Sequence, residues 1–279
     1  MSATAHRDWL SVHHGPAPLI VSFPHTGTEI PPDIETQLAS GWLARKDTDF
    51  WVDVLHDFAH ELGATTIRTA LSRTVIDVNR DPSGASLYPG QTTTGLCPVE
   101  TFDGERLYKP GLEPDEAEIH RRRGEYYDPY HAALAFELER KRADFGCVVL
   151  YDAHSIRSRL PRLFDGVLPQ FNIGTHSGAS CDPALTAAVE QACDLSGFSR
   201  VTNGRFRGGW ITRRCGNPQV NIHAVQMELA MHGYLAEPRV VSPDNWPAPL
   251  DDTLAARLRI ALRDVLDACL HFAHSRRTP

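Results

Sequence analysis

Apolar residues gather in short runs bounded by proline, glycine and polar clusters, with longer amphipathic stretches between them. Runs rich in β-branched and apolar residues predict strands over 18–24, 65–70, 74–79, 146–151, 200–203 and 222–229. A helical period of 3.6 predicts the intervening elements. Over 49–62 it places Val52, Leu55, Phe58, Ala59 and Leu62 on one stripe, with charges opposite. Pro114 opens a long helical segment reaching Ala143, rich in Glu and Arg, then apolar at Tyr130, Ala133, Leu134 and Phe136. Asp182 and Pro183 supply a cap and a first turn for a helix ending near Gly197. A last helix runs from Asp251 to His274, with Leu258, Leu262, Val265 and Leu266 on its apolar stripe.

This alternation implies an α/β fold with a mixed, mainly parallel sheet flanked by helices. No internal repeat or low-complexity linker interrupts it, so one domain over 1–279 is the simplest organisation. The segment 81–112 is different, with nine glycines and prolines at 82, 84, 89, 90, 95, 98, 104, 110 and 111. A loop that long inside a compact domain is usually functional or disordered. Its tyrosines and Phe102 suggest an ordered lid or wall.

Composition narrows the function classes. The chain has 279 residues, 42% hydrophobic and 23% charged, as in ordinary globular proteins. A net charge of -7 argues against a nucleic-acid partner. No apolar run approaches the length of a membrane span. The first residues show no signal-peptide core, so the cytoplasm is the expected compartment. The six cysteines form no CxxC pair and are expected as free thiols, with Cys147 in the core. Nothing in the chain fixes an oligomeric state.

Two of the 14 histidines stand out. Leu19-Ile20-Val21-Ser22-Phe23-Pro24-His25 and Cys147-Val148-Val149-Leu150-Tyr151-Asp152-Ala153-His154 each read as a buried strand that runs out into a histidine. The C-terminal edge of an open α/β sheet is where ligands bind. Two imidazoles delivered there suit zinc or a similar divalent ion. A third ligand would come from Glu29, Asp47, Asp49 or Asp53, although Asp47-Thr48-Asp49 also reads as a helix cap.

Glu228 is the one carboxylate in the apolar run Val225–Ala230. A charge there is costly unless paired or functional, and burial raises its pKa as a general base requires. The alternative is a structural ion pair. Arginines cluster in three places: Asp77-Val78-Asn79-Arg80, Arg157 and Arg159 after His154, and Gly204–Arg213, which holds Arg205, Arg207 and Arg213. Guanidinium forks suit carboxylates, which implies a small anionic substrate. Strand alternation would put Arg205 and Arg207 on one face.

Several motifs in order resemble those of the N-formylglutamate amidohydrolases. They are Pro24–Gly27, Asp47–Asp49, Asp77–Arg80, Ser86–Gln91, Tyr151–Arg157 and Asn203–Gly209. The resemblance implies a phosphorylase/hydrolase-like fold related to zinc carboxypeptidases. It implies hydrolysis of N-formyl-L-glutamate to formate and L-glutamate, in histidine degradation. Relatives place His-x-x-Glu on zinc, whereas here Thr28 stands third after His25 and Glu29 fourth; Asp49 is therefore preferred over Glu29 as third ligand. The resemblance further implies Glu228 as base and Asp77–Arg80 as a motif holding a substrate carboxylate; the expected mechanism adds Arg80 as oxyanion partner and Asn79, Arg80, Arg157, Arg205, Arg207 and Arg213 as substrate contacts. Two alternatives stand beside it: an amidohydrolase of another N-acyl acidic amino acid, and a non-catalytic binder of acidic metabolites. A serine hydrolase is disfavoured because no G-x-S-x-G elbow occurs.

Overall fold

A seven-stranded sheet organises the chain in the order β1-β3-β2-β4-β7-β5-β6. The strands are β1 Leu10–His13, β2 Leu19–Phe23, β3 Thr65–Thr69, β4 Val148–Ile156, β5 Phe171–Gly174, β6 Arg200–Thr202 and β7 Ile222–Ala230. This is a computed structural model, and it describes residues 8–86, 90 and 93–276. Met1–Arg7 and most of the Ser86–Gln91 motif, including Tyr88, lie outside the described residues. The central pairs β3-β2, β2-β4 and β4-β7 are parallel, as is β5-β6. Only β1-β3 and β5-β7 are antiparallel. The sheet is thus mixed and mainly parallel, as the sequence pattern implies.

The helices are α1 Pro32–Glu35, α2 Val52–Leu55, α3 Glu116–Arg122, α4 Asp128–Phe145, α5 Pro183–Leu195, α6 Trp210–Cys215 and α7 Asp252–Ser275. Alternation along the strands sends side chains into two separate cores. Leu19, Val21, Val149, Val225 and Met227 pack in one core with Leu258, Leu262, Val265 and Leu266 of α7. Ile20, Ile67, Val148 and Leu150 pack in the other with Tyr130, Leu134 and Leu138 of α4. Burying each large aliphatic side chain contributes roughly 1.5–3 kcal/mol, which makes the covered central strands the rigid part of the fold. Asp182 caps α5 by accepting from the Ala184 N–H, and Asp251 caps α7 through the Thr253 and Leu254 N–H groups.

Several expectations are corrected. Residues 74–79 form no strand. Val75, Ile76 and Val78 are apolar because they fill the second core, while the backbone turns locally. The Asn79 N–H donates to Asp77 Oδ1 at 2.9 Å and the Arg80 N–H to the Asp77 carbonyl at 3.2 Å, so these groups join no ladder. The helix expected over 49–62 shrinks to α2 and a 3-10 turn, Asp57–His60. Trp51 has φ 68°, and its indole donates to the Ala248 carbonyl at 3.0 Å. That tertiary contact overrides the helical period. His154 sits inside β4 rather than after it, because β4 continues to Ile156 beside β7. Arg205 and Arg207 lie beyond the end of β6, so strand alternation does not place them on one face. Strands β1 and β5 and helix α6 are too short to carry a clear period of their own.

Candidate active site

Four buried polar side chains occupy one face of the sheet where β4 and β7 run side by side. Asp152 is paired with Gln226 and His154 with Glu228 across the two strands. All four are buried. β2 ends beside them at Phe23, and Pro24 turns the chain so that His25 follows its C-terminal end. The ring centroids of His25 and His154 are 4.8 Å apart.

Asp49 completes the group. Its Oδ2 lies 3.1 Å from His154 Nδ1 and 3.6 Å from His25 Nδ1. One ligand atom from each of His25, Asp49 and His154 lies within 4.8 Å of the others, and all three residues are buried. The loop that carries Asp49 is pinned from both sides. The Asp49 N–H donates to the His25 carbonyl at 3.0 Å, and Asp49 Oδ2 accepts the Ser155 N–H at 3.2 Å. Asp49 therefore caps no helix. Burial pushes its carboxyl up, but hydrogen bonds from His154 and His25 outweigh that and bring it down to about 2.

The far sides of both imidazoles are held as well. His25 Nε2 is 2.7 Å from Asp77 Oδ1, and Arg73 Nη2 donates to Asp77 Oδ2 at 2.7 Å. His154 Nε2 is 3.1 Å from Asp152 Oδ2 and 2.9 Å from Asn79 Nδ2. Such partners fix imidazole orientation in metal sites and raise ligand basicity. Burial lowers the proton affinity of His154, but the Asp152 and Asp49 carboxylates outweigh it and raise its pKa well above the usual histidine value. The same carboxylates favour a metal cation in place of the proton. Asp49 Oδ1 is buried with no hydrogen-bond partner, and Arg73 Nη1 stands 3.8 Å from it. Two imidazole nitrogens and a carboxylate carrying an unsatisfied oxygen are a donor set that fits zinc.

Glu228 faces the same cavity as His25 and His154. Burial pushes its carboxyl up to about 7; the His154 charge opposes the shift and the Asp49 charge adds to it. Gln226 Nε2 donates to Glu228 Oε2 at 3.1 Å. A carboxyl poised near neutrality beside paired imidazoles can accept and return a proton at physiological pH.

The arginines divide by position. Arg80 and Arg205 line the cavity, as do Arg73 and Arg162. Arg80 donates to the Thr94 carbonyl at 3.2 Å and to Thr94 Oγ1 at 3.0 Å. Arg205 donates to the Leu163 carbonyl at 3.0 Å and lies over the Phe206 ring. Arg157, Arg207 and Arg213 are not among the cavity-lining residues. Arg157 instead pairs with Asp103 at 2.6 Å and Asp47 at 3.5 Å. Arg213 donates to the Gly208 carbonyl at 2.8 Å. Asn79 lines the cavity, and its Oδ1 accepts the Ile211 N–H at 2.8 Å.

The remaining acids are accounted for elsewhere. Glu29 is exposed and bridges its backbone to Leu71. Asp53 pairs with Arg68 at 2.9 Å. Asp47 accepts the Phe102 N–H at 2.6 Å, which holds the chain where Thr101 and Phe102 wall the cavity. Tyr108, by contrast, is buried in the second core.

Sequence reasoning missed Arg73, Asp152 and Gln226 and gave Asp77 no role of its own. A signal existed for two of them. Asp152 precedes His154 by two residues, and Gln226 precedes Glu228 by two, the spacing that puts strand side chains on one face.

Residues 17–235 match the family model described as N-formylglutamate amidohydrolase. The chain belongs to that family. The N-formylglutamate deformylase of Pseudomonas aeruginosa is 44% identical over 96% of this chain and 98% of its own length. That of Pseudomonas putida is 43% identical over 96% of this chain and 97% of its own. The crystal structure of an N-formylglutamate amidohydrolase from Ralstonia eutropha superposes with a TM-score of 0.76 at 23% identity. It covers 96% of this chain and 98% of that one, and it shows the shared fold.

Proposed function

We propose that this family member hydrolyses N-formyl-L-glutamate to formate and L-glutamate, the reaction its relatives' names describe, with one divalent metal ion, expected to be zinc. The observation that carries the reading is 44% identity over nearly the whole chain to an N-formylglutamate deformylase. The buried His25, Asp49 and His154 group beside Glu228 supports it chemically.

His25, Asp49 and His154 would hold the ion, which would supply Lewis acidity when bound. Glu228 is placed to take one proton from the attacking water. It returns the proton to the glutamate nitrogen as the formyl C–N bond breaks, and the water oxygen ends on formate. Arg80 and Arg205, which line the cavity, would offer guanidinium groups to the substrate carboxylates, and Arg80 would steady a developing oxyanion. Asn79 adds a polar contact at the cavity floor. Arg73 and Asp77 hold His25 in orientation.

The test is formate release by purified, zinc-loaded protein on N-formyl-, N-acetyl- and N-succinyl-L-glutamate. Formate and glutamate in equal amounts, with the formyl substrate preferred, support the reading. Preferred release of acetate or succinate assigns a related substrate. No release from any of the three overturns it.

A further inference from the structure

Gln226 is buried, lines the cavity and was not singled out by any sequence motif. Both ends of its amide are engaged. Nε2 donates to Glu228 Oε2 at 3.1 Å, and Oε1 accepts the Gly209 N–H at 2.6 Å. Gly209 in turn lies so close to Asn79 that an added Cβ would fall 2.4 Å from Asn79 Nδ2. Two residues on, the Ile211 N–H donates to Asn79 Oδ1. The start of α6 is thereby laced to two side chains, one touching Glu228 and the other touching His154.

A buried carboxylate with few partners is free to choose rotamers, and a proton-transfer group loses much of its effect if misplaced by about 1 Å. Among the described residues, the amide is the only side chain that hydrogen-bonds the Glu228 carboxylate, and its own position is set by the Gly209 backbone.

We propose that Gln226 is a positioning residue: it fixes the Glu228 carboxylate by tying Oε2 to the Gly209 backbone. This rests on the amidohydrolase reading above, with Glu228 as the base. Losing a hydrogen bond to a charged group corresponds to a fall in kcat of about 10- to 100-fold.

The test uses Gln226→Met and the shortened amide Gln226→Asn in the zinc-loaded full chain, each alone and combined with Glu228→Gln. Wild-type formate release is measured first, so that failure of the reaction assignment shows before any variant is compared. The expected result is a lower kcat with KM within about threefold and metal content unchanged. In the Glu228→Gln background neither change should lower turnover further, because the group being positioned is already gone. A second measurement does not need turnover: at fixed pH, the carboxyl 13C resonance of Glu228 in metal-free protein should move in both variants. An additive loss in the double variants, or wild-type kcat with an unmoved resonance in either folded single variant, overturns the proposal.

Discussion

His154 and Glu228 stand directly opposite one another on adjacent parallel strands, β4 and β7. That register brings an imidazole of the candidate metal site and a carboxylate of raised pKa to one cavity, although they lie 74 positions apart in sequence. The role of Glu228 follows from this placement. Glu228→Gln keeps the shape and removes the basicity. It should retain bound zinc and lose about 10²-fold or more in kcat. Turnover near the wild-type rate would exclude Glu228 as base.

The third metal ligand separates by substitution. Asp49→Ala should lose stoichiometric zinc, because it removes the only carboxylate grouped with both histidines among the described residues. Glu29→Gln should retain it, since Glu29 is exposed. Metal analysis after dialysis reads both, and zinc retained by the Asp49 variant but lost from the Glu29 variant would reverse the choice.

Asp77 touches His25 Nε2 at 2.7 Å, so it would act on a bound metal at one remove. Asp77→Asn keeps the size but weakens that bond and strands the Arg73 charge. Zinc affinity should fall about 10- to 100-fold, as for other partners of ligating histidines. A competition titration against a chelator measures it; unchanged affinity would make the Asp77 contact incidental to metal binding.

Charge recognition should follow the cavity wall rather than the motif. Arg205 lines the cavity and Arg213 does not. Removing a buried, hydrogen-bonded charge partner typically costs about 2–5 kcal/mol. Arg205→Ala should therefore lose most of the preference for N-formylglutamate over N-formylglutamine, while Arg213→Ala keeps it. The ratio of kcat/KM values decides. The opposite pattern would move the carboxylate contact to Arg213.

His56 gives a pH dependence with a definite sign. Burial lowers its pKa from 6.5 to about 4, with the Val52 carbonyl opposing and Arg259 adding. The folded state thus keeps His56 neutral where the unfolded chain takes up a proton. Its stability contribution is full above pH 6.5 and falls by about 1.4 kcal/mol per pH unit down to pH 4. Comparison with His56→Gln isolates this site from the other titrating groups. The stability difference between the two proteins, from urea unfolding, should narrow at that slope between pH 6.5 and 4.5. A constant difference across that window would refute the assignment.

Much of the candidate site could be read from the chain because its polar groups stand in or just after apolar runs. Apolar runs that close on His25, His154 and Glu228 mark buried polar groups, which are costly without a purpose. The same runs, with the amphipathic α5 and α7, give a mainly parallel sheet under helices. Residues 74–79 show the limit of that reasoning. Their apolar character reports burial, and burial alone does not distinguish a strand from a packed turn.

Tertiary structure decided the rest. Asp49 looks like a helix cap until Trp51 bonds to Ala248 and the Ser155 N–H pins the carboxylate beside both histidines. Arg157 looks like a substrate contact until Asp103 and Asp47 engage it away from the cavity. Gln226 acquires meaning only when α6 brings Gly209 against it. The physical reason is common to all three. Sequence period reports which face of an element is buried, whereas a side chain's partner is set by which loop folds over that face. The chain by itself determined the central parallel strands and the candidate histidines and glutamate they carry; only folding decided which of its many arginines and acids meet at the cavity.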